Sequence, residues 1–316
     1  MNSFMLNKIM LLKNKKTKKM DKRVEKVLKK AKMMWKIFPF VFITMLVLLI
    51  SFYNKLFKKN VAWQHVGLRM FNMFAQPKQM HFTGDAILPD DKAIIISNHF
   101  SDADFLYTMY TIDHFAPKRN MQLCMKKEVA KVPSIKTWVK VTKSAIISRV
   151  NPEKDLISIK NMSKGNGFPV LFVEGRVLNE ETLKWAALRR NDLQLPSADH
   201  VLVPQPKGLQ ALLETGKYNV IYDMTLTYDG YKGGVHDFND PYAMNCKNWL
   251  NGNTQGLVHV DIRRLELNNK SISVADCADF LNNRWVVKNA RLQYFIENQE
   301  FPHDSIAEEK LISHIH

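Results

Sequence analysis

The chain has 316 residues, of which 46% are hydrophobic and 24% are charged, so it can bury one large core or two small ones. Three scattered cysteines without a C-x-x-C pair argue against a disulfide scaffold or a zinc site and are typical of a reducing compartment. The net charge of +16 is unevenly spread, but no nucleic-acid-binding motif accompanies it, so nucleic acid is not an expected partner.

The first 75 residues combine a basic segment with a long apolar one. Residues 1–36 hold thirteen Lys and Arg against two acidic residues, and the eighteen residues of Ile37–Asn54 carry no charge. This apolar length is at the short end for a transmembrane helix, which needs about 20 residues. Lysines beside it favour the cytoplasmic side and anionic lipids. We predict a basic arm over residues 1–36, then a membrane anchor and interfacial helix over residues 37–75. A solvated tail and a buried core helix are the alternatives.

From about residue 80 the sequence alternates between short apolar runs and helical segments. Continuous apolar runs are typical of strands buried on both faces, and polar caps mark helix starts at Ser101 or Asp102 and at Asn151-Pro152-Glu153. The order predicts an α/β domain over residues 76–316, with a largely parallel central sheet flanked by helices. The predicted strands are Ala93–Ser97, Ala145–Ser148, Phe168–Val173, Val201–Val203, Tyr218–Tyr228 and Leu257–Leu267. The later predicted helices are Gly208–Gly216 and Val274–Asn298.

The first candidate site follows the predicted strand Ala93–Ser97 and contains Asn98, His99 and Asp104. Acyl transfer to an alcohol needs a base near the hydroxyl, and histidine serves near neutral pH when a carboxylate holds its tautomer. Positions five apart on a helix lie about 140° apart, but a strand-to-helix turn removes that objection. We expect His99 in the turn and Asp104 in the first helical turn. A structural histidine is the alternative for this pattern taken alone.

Further charged residues follow other predicted strands. Glu174-Gly175-Arg176 follows Phe168–Val173, and Arg149 follows Ala145–Ser148. Ligands of α/β sheets collect at the carboxyl ends of strands, where a guanidinium can bind a phosphate bidentately. A solvated turn and a surface salt bridge are the respective alternatives.

Together and in this order, the motifs resemble those of the glycerophospholipid acyltransferase family, over about residues 85–302. The matching residues are Asn98, His99 and Asp104 for N-H-x-x-x-x-D; Lys126, Pro133 and Arg149 for the second block; Glu174-Gly175 for the F-P-E-G-T-R block; Pro204 and Lys207-Gly208 for the fourth; and Trp285, Lys288, Phe295 and Phe301-Pro302 for a C-terminal pattern. Two departures are Arg176 where threonine is usual and Val177 where arginine is usual, and they leave the head-group preference open.

The resemblance implies transfer of a fatty acyl group from acyl-CoA to the free hydroxyl of a lysophospholipid, with 1-acyl-sn-glycerol-3-phosphate giving phosphatidic acid as the expected reaction. His99 would act as general base and Asp104 would orient it, with no metal and no cofactor. The residues implied for the glycerophosphate are Lys126, Arg149, Glu174, Gly175 and Arg176, and those implied as supporting residues are Asn98, Pro204, Lys207 and Gly208.

Two alternative functions stay open at this point. One is a remodelling acyltransferase for lysophosphatidylinositol, lysocardiolipin or another lysophospholipid, and the other is an inactive lipid-binding homologue. The expected location is the endoplasmic reticulum membrane with the catalytic domain facing the cytosol, and a mitochondrial membrane is the alternative. A cytosolic domain after a cytosolic basic arm requires the apolar segment to re-enter, or Val61–Ala75 to complete a hairpin or lie in the interface.

Overall fold

The structure is a computed structural model that describes residues 79–131, 133–235, 245, 246, 248, 257–267 and 273–302. The predicted basic arm and membrane anchor, over residues 1–75, lie outside these residues. Among the helices of the described part, none combines the length and the apolar character needed to cross a membrane.

Strands and helices alternate along most of the described chain, as the pattern of apolar runs predicts. Short 3₁₀ turns lie at Val129–Lys131 and Asn161–Lys164. The main elements are β1 Met80–Gly84, β2 Ala93–Ser97, α1 Asp104–Phe115, β3 Met121–Lys126, α2 Pro133–Thr142, β4 Ala145–Ile147, α3 Pro152–Lys160, β5 Phe168–Phe172, α4 Glu180–Asp192, α5 Pro206–Leu213, β6 Val220–Tyr228, β7 Val258–Glu266 and α6 Val274–Asn298.

The described strands form one mixed sheet in the order β1-β7-β6-β2-β5-β3-β4. The five strands β6, β2, β5, β3 and β4 are parallel to one another. β7 runs antiparallel to β6, and β1 runs parallel to β7. The prediction of a largely parallel α/β sheet with flanking helices is therefore confirmed, and the antiparallel edge is an addition to it.

The register of the parallel strands brings their carboxyl ends to one edge of the sheet. β2 lies in the middle with all five residues buried, and its last residue, Ser97, pairs with Phe172 of β5 and with Met224 of β6. The residues that follow β2, β5 and β4 therefore emerge at the same edge. This edge receives three of the four motifs found in the sequence.

Several predicted boundaries change in the structure. Val201–Val203 is buried as predicted but belongs to no strand, since its backbone forms no ladder with a neighbour. α5 begins at Pro206 and not at Gly208, because a proline is well suited to the first helical position. α6 covers Val274–Asn298 as predicted and starts with a capping box between Ser273 and Asp276.

Candidate active site

The turn after β2 is fixed to the neighbouring strand by Asn98. The side-chain amide of Asn98 donates to the backbone oxygen of Leu226 on β6 at 2.9 Å and accepts from the Leu226 backbone N–H at 2.9 Å. The Asn98 side chain thus acts as one more rung of the sheet beyond the end of β2. It holds the start of the turn, and with it the backbone of His99.

His99 and Asp104 form the pair expected from the sequence. The His99 Nδ1 lies 2.8 Å from Asp104 Oδ2, with the His99 side chain 21% exposed and that of Asp104 fully buried. The Asp104 carboxylate also accepts the backbone N–H of Ser101 at 2.9 Å and the Ser101 hydroxyl at 3.3 Å. Since the carboxylate holds a proton on Nδ1, the basic lone pair of the imidazole is on Nε2.

The predicted helix cap at Ser101 or Asp102 is wrong. α1 begins at Asp104, and its N-cap is Ala103, which makes no side-chain cap bond. Ser101 instead turns its hydroxyl to Asp104, and the Asp102 carboxylate accepts the backbone N–H of Cys246 at 2.9 Å. Ser101 therefore holds the Asp104 carboxylate next to His99, and Asp102 holds the backbone of Cys246.

The His99 ring is packed against β5. It stacks on the Phe172 ring with centroids 4.5 Å apart and planes inclined by 20°. The backbone oxygen of His99 accepts the N–H of Leu178 at 2.9 Å. With Asp104 at Nδ1 and Phe172 against one face, the ring has little rotational freedom, which is what a positioned base requires.

Arg149 is held on a strained backbone directly after β4. Its φ is +61°, in the left-handed region that non-glycine residues seldom adopt. The Asp155 carboxylate accepts the N–H of Arg149 at 2.7 Å and the N–H of Ser148 at 2.8 Å. Burial opposes ionisation, but these N–H donors lower the pKa of Asp155 below its usual value. The exposed guanidinium donates to the backbone oxygen of Gly175 at 2.5 Å.

The Gly175 turn joins the arginine to the base. The Gly175 N–H donates to the backbone oxygen of Phe172, whose ring packs against His99. Gly175 has φ +67°, and a Cβ placed on it would meet no atom within 4 Å, so open space lies beside it. His99, Gly175 and Arg149 thus line one edge of the sheet, with room next to the backbone for a ligand.

Glu174 points the other way, into the protein. The side chain is buried, and Oε1 accepts the indole N–H of Trp285 on α6 at 2.9 Å. Burial raises the pKa of the Glu174 carboxyl to about 7, while the N–H of Trp285 and the positive charges of His99 and Lys288 oppose the rise. The carboxylate therefore anchors the turn to α6, and it is the backbone of Gly175 that faces the open edge.

The remaining predicted residues lie around this edge without contacting its centre. Lys126 and Lys207 are exposed, and Pro204 is buried. The Arg176 guanidinium lies 5.2 Å over the Trp185 ring of α4. Gly208 would accept a Cβ at ordinary contact distance from Ile159. In the part of the chain that the structure describes, no group of three or more His, Cys, Asp or Glu side chains could hold a metal ion.

Two protein-family models match the regions that contain these residues. The model described as Acyltransferase matches residues 79–209, which include all four motifs from Asn98 to Gly208. The model described as Acyltransferase C-terminus matches residues 248–314, which include α6 and Trp285. The chain belongs to the glycerophospholipid acyltransferase family.

The chain is similar to curated acyltransferases that have different names. It is 23% identical to a probable 1-acyl-sn-glycerol-3-phosphate acyltransferase 5 of Arabidopsis thaliana, over 72% of the chain and 60% of the relative. It is 24% identical to the lysocardiolipin acyltransferase 1 of Gallus gallus, over 68% and 57%. It is 25% identical to the lysophosphatidylinositol acyltransferase 10 of Caenorhabditis elegans, over 72% and 60%. The chain thus spans well under two thirds of each relative's length. No solved structure matches it significantly.

Sequence reasoning missed the roles that four residues have at this candidate site. Ser101 was considered only as a helix cap and Asp155 was not singled out, although both hold site residues through backbone N–H groups or hydroxyls. Phe172 and Trp285 gave a weaker signal, since an aromatic residue in a strand or helix is usually core. Ser101 donates to Asp104, and Asp155 accepts the N–H of Arg149. Phe172 stacks on His99, and Trp285 donates to Glu174.

Proposed function

We propose that this chain transfers a fatty acyl group from acyl-CoA to the free hydroxyl of a lysophospholipid. The observation that carries the proposal is the His99–Asp104 pair, held at 2.8 Å at the sheet edge where Arg149 and the Gly175 backbone also lie. A base beside a hydroxyl and a guanidinium beside a phosphate are the two groups this transfer needs. The expected acceptor is 1-acyl-sn-glycerol-3-phosphate, which gives phosphatidic acid.

The proposed step uses one base and no covalent enzyme intermediate. The Nε2 of His99 removes the proton of the lysophospholipid hydroxyl as its oxygen attacks the thioester carbonyl. The C–S bond breaks, the new ester C–O bond remains, and the imidazolium returns its proton to the CoA thiolate. Asp104 stays ionised throughout and stabilises the imidazolium through Nδ1. The acyl donor is part of the proposal, and its binding residues are not assigned.

Arg149 is proposed to hold the acceptor phosphate. Its guanidinium already contacts the Gly175 carbonyl, so a phosphate in the open space beside Gly175 would meet both the guanidinium and the turn. A planar guanidinium can bind two phosphate oxygens at once. The Arg176 guanidinium lies over the Trp185 ring in the structure, and its N–H donors, which lie in the plane of the guanidinium, stay available for a phosphate.

A second candidate is a remodelling acyltransferase that accepts a phosphodiester lysophospholipid. It is supported by the names of two relatives, a lysocardiolipin and a lysophosphatidylinositol acyltransferase. Arg176 and Val177, which replace the family's usual threonine and arginine, keep one guanidinium but displace it by one position, so the head-group preference stays open. The inactive lipid-binding alternative is disfavoured by the intact His99–Asp104 geometry.

The test is a substrate panel with the purified full chain. Labelled acyl-CoA is incubated with lysophosphatidic acid, lysophosphatidylinositol, lysocardiolipin and lysophosphatidylcholine, and acylated products are separated. The expected result is transfer to lysophosphatidic acid that exceeds transfer to the other acceptors. Preference for a phosphodiester lipid would favour the remodelling candidate. The absence of transfer to every acceptor, from a protein shown to be folded, would contradict both.

We further propose an endoplasmic reticulum membrane location with the catalytic domain on the cytosolic side. Asn161 and Asn269 begin N-x-Ser sequences, which are glycosylated only if they reach the lumen. Asn161 is exposed on the folded domain and thus makes a usable reporter. Expression in eukaryotic cells, with and without glycosidase, should show no change in gel mobility. A mobility shift would place the domain in the lumen and overturn the proposed topology.

A further inference from the structure

Two apolar side chains near the candidate active site are unusually exposed. Val150 is 87% exposed and Leu188 is 67% exposed, the largest fractions among the large apolar residues that the structure describes. Single exposed apolar residues are ordinary on protein surfaces, whereas a cluster beside a site marks an interaction surface. Whether these two belong to one surface decides their meaning.

A series of chain neighbours and contacts links the two residues through the active-site turn. Val150 follows Arg149, whose guanidinium donates to Gly175, and Arg176 follows Gly175 and stacks on Trp185 at 5.2 Å. Leu188 lies one helical turn after Trp185 on α4, so the two side chains share a helix face. We call this set the site rim, and it consists of Arg149, Val150, Arg176, Trp185 and Leu188.

The site rim is amphipathic and carries excess positive charge. Val150, Leu188 and Trp185, which is itself 38% exposed, supply the apolar part. The exposed cations of the rim and of α4 beside it are Arg149, Arg176, Lys184 and Arg189. The exposed acidic residues of α4 are Glu180, Glu181 and Asp192, so the local balance is +1 (four minus three). Exposed apolar side chains among cations, with a tryptophan between them, are typical of surfaces that lie in a membrane interface.

We infer that the site rim docks on the surface of an anionic phospholipid bilayer, with Val150, Trp185 and Leu188 in the headgroup region and the cations against lipid phosphates. The inference rests on the proposed function in one respect: a lipid acceptor gives the active site a reason to face a bilayer. Continuity with the active-site turn, and a tryptophan placed between apolar and cationic side chains, favour a bilayer over a second copy of the chain.

Docking in this position has a direct consequence for the substrate. Arg149 belongs both to the rim and to the proposed phosphate site, so an acceptor lipid could engage it while its acyl chain stays in the bilayer. The lipid then need not be extracted into water, where its acyl chain would be exposed. An acceptor lipid would thus reach the docked rim by diffusing within the plane of the bilayer.

The test measures the depth of single residues in a bilayer and needs no catalysis. The full chain, with its three cysteines replaced by alanine, receives one cysteine at Val150, Leu188 or Leu88, and each is labelled with a polarity-sensitive fluorophore. Leu88 is the matched control, because it is 47% exposed and precedes β2, at the opposite edge of the sheet. The proteins are bound to phosphatidylcholine vesicles that contain phosphatidic acid, and are quenched by nitroxide lipid or by aqueous iodide.

The expected result is several-fold stronger nitroxide quenching, and weaker iodide quenching, at positions 150 and 188 than at position 88. The N-terminal segment is identical in all three proteins, so the comparison isolates the rim. Equal quenching at the three positions would overturn the inference. Protection of 150 and 188 from iodide without nitroxide quenching would also overturn it and would point to a second copy. Either outcome is independent of which acceptor lipid the panel identifies.

An activity measurement complements the depth measurement. Val150→Asp and Leu188→Asp should lower transfer to lysophospholipid presented in vesicles several-fold, with little change for a short-chain, water-soluble lysophosphatidic acid, and Leu88→Asp should change neither. An equal loss on both substrates would mean that the rim acts on folding or chemistry and would contradict the docking role.

Discussion

Two buried aspartates of this chain have opposite surroundings. Asp104 is bonded to His99, a residue that is partly exposed and can gain or lose a proton. Asp223 on β6 accepts the Lys288 ammonium at 2.6 Å and the Arg284 Nε at 2.8 Å, and the Lys288 side chain is completely buried. Lys288 also donates to the backbone oxygen of Met224 at 2.8 Å.

The difference separates a reactive pair from a structural one. The pair at the sheet edge has one open nitrogen, His99 Nε2, through which a substrate proton can enter. The pair under α6 is closed: burial alone would raise the pKa of Asp223, yet Lys288 and Arg284 keep it below its usual value, so the carboxylate stays ionised and paired. The same residue type is therefore proposed to serve chemistry next to His99, and it stabilises the fold next to Lys288 and Arg284.

Replacement of the open pair's base should have the largest effect. His99→Ala is expected to lower kcat by about 10²–10⁴-fold, the usual contribution of a general base, while the folded structure is kept. His114→Ala, in the last turn of α1 and exposed, is the matched control and should stay near the parent. Initial rates with labelled acyl-CoA, together with thermal unfolding, measure both. Activity of His99→Ala within a few-fold of the parent would refute the assigned base.

Replacement within the closed pair should affect stability and not chemistry. Lys288→Met leaves Asp223 buried with Arg284 alone, and breaking a buried ion pair costs about 3–5 kcal/mol. Lys160→Met is the control, since the Lys160–Glu214 pair is exposed on both sides and should contribute less than about 1 kcal/mol. Denaturant unfolding gives the free energies. A loss for Lys288→Met no greater than that of the control would contradict the structural role.

Glu174 lies between the two pairs and should make the stability depend on pH. Its pKa is raised to about 7 from 4.5, so above pH 4.5 the unfolded chain releases this proton first and stability falls as pH rises to about 7. The loss is about 3 kcal/mol over that window. Unfolding free energies of parent and Glu174→Gln, measured from pH 4.5 to 8, isolate the slope.

Two outcomes sharpen or reject this assignment. Trp285→Phe removes an N–H donor that lowers the pKa of Glu174, so it should move the upper end of the window to higher pH. A parent and a Glu174→Gln variant with parallel pH profiles would mean that Glu174 does not titrate in this range.

The smallest of the expected effects concerns the acceptor site. Arg149→Lys keeps the charge but loses the planar fork, so the KM for the lysophospholipid should rise by about tenfold, the size of one charge-assisted hydrogen bond. Asp155→Asn should act in the same direction, because Asp155 holds the Arg149 backbone. The KM for acyl-CoA should stay unchanged in both. A change confined to the acyl-CoA KM would reassign Arg149 to the donor site.

Two central strands of the parallel half were predictable because they are nearly continuous apolar runs. Ala93–Ser97 and Phe168–Phe172 are buried on both faces and carry the signal in every residue. β1 and β3 escaped prediction because MHFTG alternates over only four residues before its glycine, and MQLCMK mixes polar and apolar residues without alternation. β1 is an edge strand, and an edge strand can keep polar residues on its open side.

Within the candidate site, motif order identified the proposed base, its carboxylate and the proposed phosphate-binding arginine, but not what orients them. His99, Asp104 and Arg149 were found in the sequence, and the structure brings them to one edge. The direction of Glu174 was not predictable, because its partner Trp285 is more than a hundred residues away and the contact depends on the packing of α6. Asp155 was equally hidden, since it acts on backbone N–H groups that any sequence has.

The left-handed backbone at Arg149 sets stability against function at a single position. A non-glycine residue at φ +61° carries a conformational cost of about 1–2 kcal/mol, which glycine would avoid. A library selected only for thermal resistance should therefore accept glycine at 149, and one selected for growth on the lipid product should reject it. The substitution that stabilises the fold at position 149 would then be one that reduces the activity of the enzyme.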